Sequence, residues 1–335
     1  MKIFYPAFIR LPTEKAHGIQ IMKTCEALSD VGAEITLVIP GRATAITTDP
    51  FEYYGVKENF KIVMAKTPDW VRFGRLGFVV SMMWFAEAAH ARKAFWAADV
   101  IYSRDAGVLM QYILLGRKLV YEAHQAPTAL SRFVARRAYR VVAITASIKE
   151  DFVRAGVHSD RIVVAHDAAD VTQAAGSLSE RARIVYAGSR RPGKGVETVE
   201  AAASLMPEVD VEIVSGKTPA EARAALASAD VVVVPNSAKH PASARYTSPM
   251  KLFEALASGA RVVASDVPAI REVVDEASVW FFTPDDAAAL ARTIREALAD
   301  PHVEEKLTAA RALAQKYSWR ARAATILQSL KEGVG

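Results

Sequence analysis

The 335-residue chain holds one cysteine, Cys25. An internal disulfide and a thiolate metal cluster are therefore excluded, and a reducing compartment fits. The N-terminus, MKIFYPAFI, lacks the basic region, long apolar core and small-residue cleavage site of a secretion signal. No apolar run reaches the roughly 20 residues of a spanning helix; the most apolar, residues 76–89, is interrupted by Glu87. The expectation is a cytoplasmic protein. Both the GxGxxG fingerprint of a dinucleotide redox enzyme and the GxxxxGK(S/T) loop of a Walker nucleotidase are missing. Nucleic acid is not an expected partner either, because no basic block interleaved with aromatics, zinc-finger spacing or helix-turn-helix spacing is present.

What is present is an ordinary globular composition with lopsided charge. The net charge is +5; residues 1–161 hold 22 Lys+Arg against 15 Asp+Glu, whereas residues 162–335 hold 20 against 22. A basic front half suits an anionic partner such as a membrane surface or a phosphorylated lipid. Val/Ile-rich runs alternate with helical stretches: IFYPAF, EITLVIP, KIVMA, DVIYS, KLVYEA, RVVAIT and RIVVAH, then ARIVYAG, VDVEIVS, ADVVVVP, ARVVAS and SVWFF. Near-continuous apolar strands are what parallel sheets covered on both faces require. The expected fold is α/β with two doubly wound parallel-sheet domains facing a cleft, residues 1–166 and 182–317. Residues 167–181 are the expected linker, and 318–335 a C-terminal helix packing back on the first domain.

The most informative stretch is residues 246–272, YTSPMKLFEALASGARVVASDVPAIRE. Ser248 is a good N-cap and Pro249 suits the first helical position, leaving the backbone N–H groups of Met250 and Lys251 at the positive helix end. A diphosphate fits there, with Glu254 one turn further along the same face, in reach of ribose hydroxyls. In YAGSRRPGKGVE, Gly188, Gly193 and Gly195 permit close backbone approach, while Lys194 and either Arg190 or Arg191 neutralise phosphate. KLVYEAHQAP ends a strand with Glu122 and His124, two residues apart and so on one side of the sheet's carboxyl edge, where ligands bind. Near the start, Gly18 joins the first strand to the first helix, with Lys15 and His17 beside it.

Two further features concern surfaces. Arg132, Arg136 and Arg140 recur every four residues in PTALSRFVARRAYR, giving one basic helix face for the acceptor or an anionic membrane; an ordinary solvated face is the alternative. Residues 76–89, with Trp70, Arg72, Phe73 and Arg75 just before them, suit either an interfacial patch or a buried helix, and burial is the expectation.

Taken in order, KAHGIQIMKTCEALSDVGAEITLV, VYEAH, VVAITASIKEDFVRAGV, YAGSRRPGKGVETVEAA and SPMKLFEALASGARVVASDVPAIREVV resemble a family 4 glycosyltransferase of the GT-B fold, over nearly the full length. The resemblance implies a retaining transferase that moves a sugar from a nucleotide diphosphate to an acceptor, with no bound cofactor and no metal held by an Asp-x-Asp motif. It makes Glu254 the second, ribose-binding glutamate of the family's EX7E pattern and Lys194 the lysine on the donor phosphate. His124 becomes the histidine near the reacting sugar, and Gly18 the glycine approaching the diphosphate. Two departures stand out. Tyr246 occupies the position of the first EX7E glutamate, and Ser189 follows Gly188 where the family has arginine. Arg190 is placed to replace that arginine, with Ser248 and Lys251 taking over donor contacts.

The catalytic set is then His124, Lys194 and Glu254, with Gly18, Arg190, Ser248, Met250 and Lys251 completing the donor contacts. The expected partners are a nucleotide sugar, a glycan or lipid-linked acceptor of cell-surface polysaccharide or glycolipid synthesis, and an anionic membrane surface on which the protein sits peripherally. A nucleotide-sugar epimerase of the same architecture and a non-catalytic nucleotide-sugar binding subunit remain the alternatives.

Overall fold

The computed structural model describes residues 1–42, 44–171 and 179–333. It divides into two compact units, Met1–Ala165 with Ala323–Gly335, and His166–Arg322. Of the expected linker, residues 172–178 lie outside the described residues.

In the first unit seven strands, β1 Lys2–Pro6, β2 Glu34–Pro40, β3 Lys61–Ala65, β4 Val100–Ser103, β5 Leu119–Ala123, β6 Arg140–Ala143 and β7 Ile162–Val164, form one sheet. Their order is β3-β2-β1-β4-β5-β6-β7 and every pairing is parallel. The second unit holds β8 Arg183–Ala187, β9 Asp210–Val214, β10 Val231–Val234, β11 Arg261–Ser265 and β12 Trp280–Phe282. These lie in the order β12-β11-β10-β8-β9, again all parallel. Central strands are buried end to end, as in β4, β5, β6 and β10. Their mostly apolar letters follow from helices covering both faces. Along β8, Ile184 and Tyr186 enter one core layer and Val185 and Ala187 the other, the period-two alternation of a strand.

The strand order reverses at β1/β4 in the first sheet and at β8/β10 in the second. The carboxyl ends of strands flanking such a reversal are where open α/β sheets bind ligands. At the first, Asp105 accepts the N–H of Phe8 at 2.8 Å and Ser103 donates to the Pro6 carbonyl at 2.6 Å. At the second, the carbonyl of Gly193 accepts from Ser237 N–H at 3.1 Å and from Ser243 Oγ at 2.5 Å.

Three local expectations are corrected. Arg132, Arg136 and Arg140 do not share a helix face, because the helix ends at Ala135, Arg136 is its C-cap and Arg140 opens β6. Arg140 is buried and donates to the carbonyls of Asp160 at 2.5 Å, Ser329 at 2.6 Å and Gly333 at 2.6 Å. It is structural, since removing a guanidinium that satisfies three carbonyls leaves those groups bare. Secondly, Ser248 does not cap its helix. The helix runs Met250–Ser258 with Pro249 at the N-cap, and the Ser248 hydroxyl instead accepts the N–H of Asp167 at 2.7 Å. Thirdly, residues 76–89 are not simply buried: Gly77, Ser81, Phe85, Ala86 and Ala89 face inward, but Leu76, Met83 and Trp84 are exposed.

Candidate functional site

In the second unit the chain leaves β8, runs through Ser189–Arg190–Arg191–Pro192 and enters the helix Val196–Ala203 by way of Gly193, Lys194 and Gly195. Both glycines have positive φ, 84° and 74°. A Cβ on Gly195 would lie 1.6 Å from the Pro235 carbonyl oxygen, so only glycine fits this close approach to the end of β10. The turn delivers Lys194 beside the N-terminus of helix Met250–Ser258, where Lys251 Nζ donates to the Lys194 carbonyl at 3.2 Å and lies 5.3 Å from the centre of the Tyr186 ring.

Two half-buried ammonium groups thus stand together, and among the described residues neither has a carboxylate within ion-pair distance. Burial pushes the Lys194 pKa down, and the neighbouring Arg191 charge adds to this. Burial pushes Lys251 well down, and the Lys194 charge adds to that. Such a pair is a standing demand for an anion. The N–H groups of Met250 and Lys251, in the first turn of the same helix, add the positive end of its dipole.

The sign of the pH dependence follows. The charged form of Lys251 costs the free protein stability, and the penalty is relieved as pH rises from its depressed pKa towards the ordinary 10.5. A bound diphosphate raises both lysine pKa values, so binding takes up protons across that same range. Titration calorimetry with a nucleoside diphosphate in buffers of different ionisation enthalpy is expected to show net proton uptake that rises to a maximum between the depressed lysine pKa and the ordinary 10.5 and falls on either side. Zero uptake or proton release would remove the two lysines from the anion site.

Glu254, one turn into the helix, has no hydrogen-bonding or ion-pair partner among the described residues. Burial raises its pKa, against the Arg223 charge and with help from Asp170. An unspent carboxylate behind a cationic helix end is placed to accept hydroxyl hydrogens. Glu254→Gln is expected to weaken nucleotide binding by about 1.5 to 3 kcal/mol, the worth of a hydrogen bond to a charged group. Unchanged affinity by calorimetry would exclude it from the pocket. Arg190 points elsewhere: its guanidinium pairs with Glu200 on the exposed side of the adjoining helix.

In the first unit, Glu122 and His124 are brought together at the end of β5, with His124 Nε2 2.8 Å from Glu122 Oε1. Gln20 Nε2 donates to the same oxygen at 2.5 Å, and the Tyr102 hydroxyl to the other. Arg104 in turn donates to Gln20 Oε1 at 3.0 Å. In a neutral His124 ring this contact puts the proton on Nε2 and leaves Nδ1 as the basic nitrogen. Gly18 lies not in a loop but in the first turn of helix Ala16–Asp30, and the space a Cβ would need is filled by Tyr54 Oη at 2.2 Å and Thr13 Cγ2 at 2.7 Å. Tyr54 is fixed there by accepting the N–H of Thr13 at 2.7 Å and donating to its carbonyl at 2.8 Å. Packing against the hydrogen-bonded Tyr54 hydroxyl therefore favours glycine at this position.

Residues 18–173 match the family described as Glycosyltransferase Family 4, and residues 162–300 match that described as Glycosyl transferases group 1. The chain carries a glycosyltransferase family 4 domain followed by a glycosyl transferases group 1 domain. Sucrose-phosphate synthase from Thermosynechococcus elongatus shares 18% identity with this glycosyltransferase at a TM-score of 0.76, covering 99% of this chain and 98% of its own. Anabaena HepE, solved with UDP-glucose, gives 16% and 0.73, covering 99% and 100%. The lipopolysaccharide outer core galactosyltransferase WaaB gives 13% and 0.64, covering 99% of both. Identities this low establish the fold, GT-B, and no more. No curated protein matches the sequence.

The structure also brings together polar residues that sequence reasoning passed over. Gln20, Tyr102, Arg104 and Asp105 all gather at the β1/β4 reversal, and the polar letters SRD closing β4 are the signal that marks them, parallel to EAH closing β5.

Proposed function

We propose that this glycosyltransferase moves a hexosyl group from a nucleotide diphosphate sugar to a hydroxyl of a glycan or lipid-linked acceptor, with retention and without a protein-bound catalytic metal. The observation that carries the reading is the paired, carboxylate-free Lys194 and Lys251 at a helix N-terminus on the switch point of the second sheet. Cleaving the bond between the sugar and the diphosphate leaves negative charge on the departing nucleotide. Preorganised cations and N–H dipoles aimed at that charge are commonly the largest catalytic contribution. Glu254 would hold the ribose and His124 the sugar or acceptor, its ring fixed by Glu122. No carboxylate stands out as a nucleophile, which favours attack from the face the nucleotide leaves. A uridine diphosphate sugar is the first donor to test, since HepE binds UDP-glucose.

The deciding experiment incubates the protein with a panel of nucleotide sugars, with and without glycan and lipid-linked acceptors, and analyses the products. A glycosylated acceptor of unchanged anomeric configuration supports the proposal. An isomerised nucleotide sugar formed without acceptor would establish the epimerase instead. Binding with neither transfer nor hydrolysis would leave a non-catalytic subunit, the reading that Tyr246 in the first-glutamate position favours.

A further inference from the structure

The Trp70–Phe73 turn and the helix Gly74–His90 present an apolar surface that the first unit does not use. Leu76 is 76% exposed, Phe73 63%, Trp84 55% and Met83 51%. These residues recur at helical spacing and line one face, while Gly77, Ser81, Phe85 and Ala89 hold the opposite face to the unit.

The surface is preformed. A Cβ on Gly77 would lie 2.0 Å from the Trp70 carbonyl oxygen, Trp70 N–H donates to Ser81 Oγ at 3.2 Å, and the Trp70 and Trp84 rings meet edge to face at 6.3 Å. The turn is therefore latched onto the helix.

Charge selects the occupant. Arg72 and Arg75 are exposed at one end of the helix and Lys93 beyond the other, while the helix carries a single acid, Glu87, 3.3 Å from His90 Nδ1. An apolar face containing tryptophan and flanked by cations matches the boundary between acyl chains and anionic headgroups. With 17 residues the helix is about 25 Å long. None of the described helices is long and apolar enough to cross a membrane.

We propose that this face docks the protein on an anionic lipid bilayer, with Phe73, Leu76, Met83 and Trp84 entering the acyl boundary and Arg72 and Arg75 meeting the headgroups. The surface lies outside the residues assigned to sugar transfer.

The test is sedimentation of the full chain with vesicles of equimolar phosphatidylglycerol and phosphatidylcholine, and with phosphatidylcholine alone. Wild type is expected to pellet with the mixed vesicles and less with the neutral ones. Phe73→Ser, Leu76→Ser and Trp84→Ser together are expected to lower the partition coefficient by roughly a hundredfold, the transfer free energy of these side chains being lost. Arg72→Gln with Arg75→Gln should keep the weak neutral-vesicle binding and remove the extra binding to mixed vesicles. Circular dichroism confirms that the variants fold, as the changed side chains are exposed. Equal sedimentation of the triple variant and wild type would overturn the proposal. So would wild type that ignores vesicles yet dimerises in ultracentrifugation through the same three residues. The assay contains no sugar nucleotide, so its failure is distinguishable from failure of the transfer reading.

Discussion

Lys194→Ala is expected to lower turnover by roughly two to three orders of magnitude, the cost of removing one preorganised stabiliser of developing charge. Binding of the uncharged sugar portion should change far less, because the negative charge on the diphosphate grows as the sugar leaves. The same substitution removes a like charge from beside the half-buried Lys251 side chain, so the melting temperature of the free protein should hold or rise. The two readouts move in opposite senses, which separates a lost catalytic group from a damaged fold. Steady-state kinetics equal to wild type, with the melting temperature unchanged, would defeat the assignment.

Glu122→Ala is expected to produce the largest loss of stability among the site residues, on the order of 3 to 5 kcal/mol, because three hydrogen-bonding groups lose their shared acceptor. Glu122 is wholly buried, and Gln20, Tyr102 and His124 all direct hydrogen-bonding groups at its carboxylate. Truncation removes that shared acceptor from all three. Glu122→Gln keeps the shape and one acceptor oxygen, so it should recover part of the loss while leaving the His124 ring less firmly held. Denaturant unfolding of both variants checks this; an alanine variant within about 1 kcal/mol of wild type would mean that water replaces the carboxylate.

The central strands were legible because they are buried on both faces and show as short apolar runs between helical stretches, as in VVVV of β10. The position of the second-unit site was legible for a related reason. Glycines and lysines cluster where strands end, and the connection at Gly193–Lys194–Gly195 has little conformational choice. What was not legible depended on neighbours distant in sequence. Arg140 continued a four-residue repeat in the letters, yet its pairing with Val120 across the β5–β6 ladder claims it for a strand. Ser248 is a sound capping residue by type, but Asp167, 81 positions away, takes its hydroxyl. Residues 76–89 read the same whether their outer face meets protein or not, since apolar letters report affinity and not what satisfies it. Gln20 meets Glu122 across 102 positions, a convergence set by strand order and not by any local pattern.

The glycine connection that carries Lys194 has a consequence for drift. Its path is fixed by backbone, through Gly193 and Gly195 and the carbonyl of Pro235, while Ser189, Arg190, Arg191 and Pro192 are surface side chains with room to vary. In a saturation library scored for folded protein, residues 189–192 should accept a broad alphabet and position 195 a single letter. A loop specified this sparsely loses almost every recognisable residue and keeps its shape, which is how chains under 20% identical come to superpose over 99% of this one.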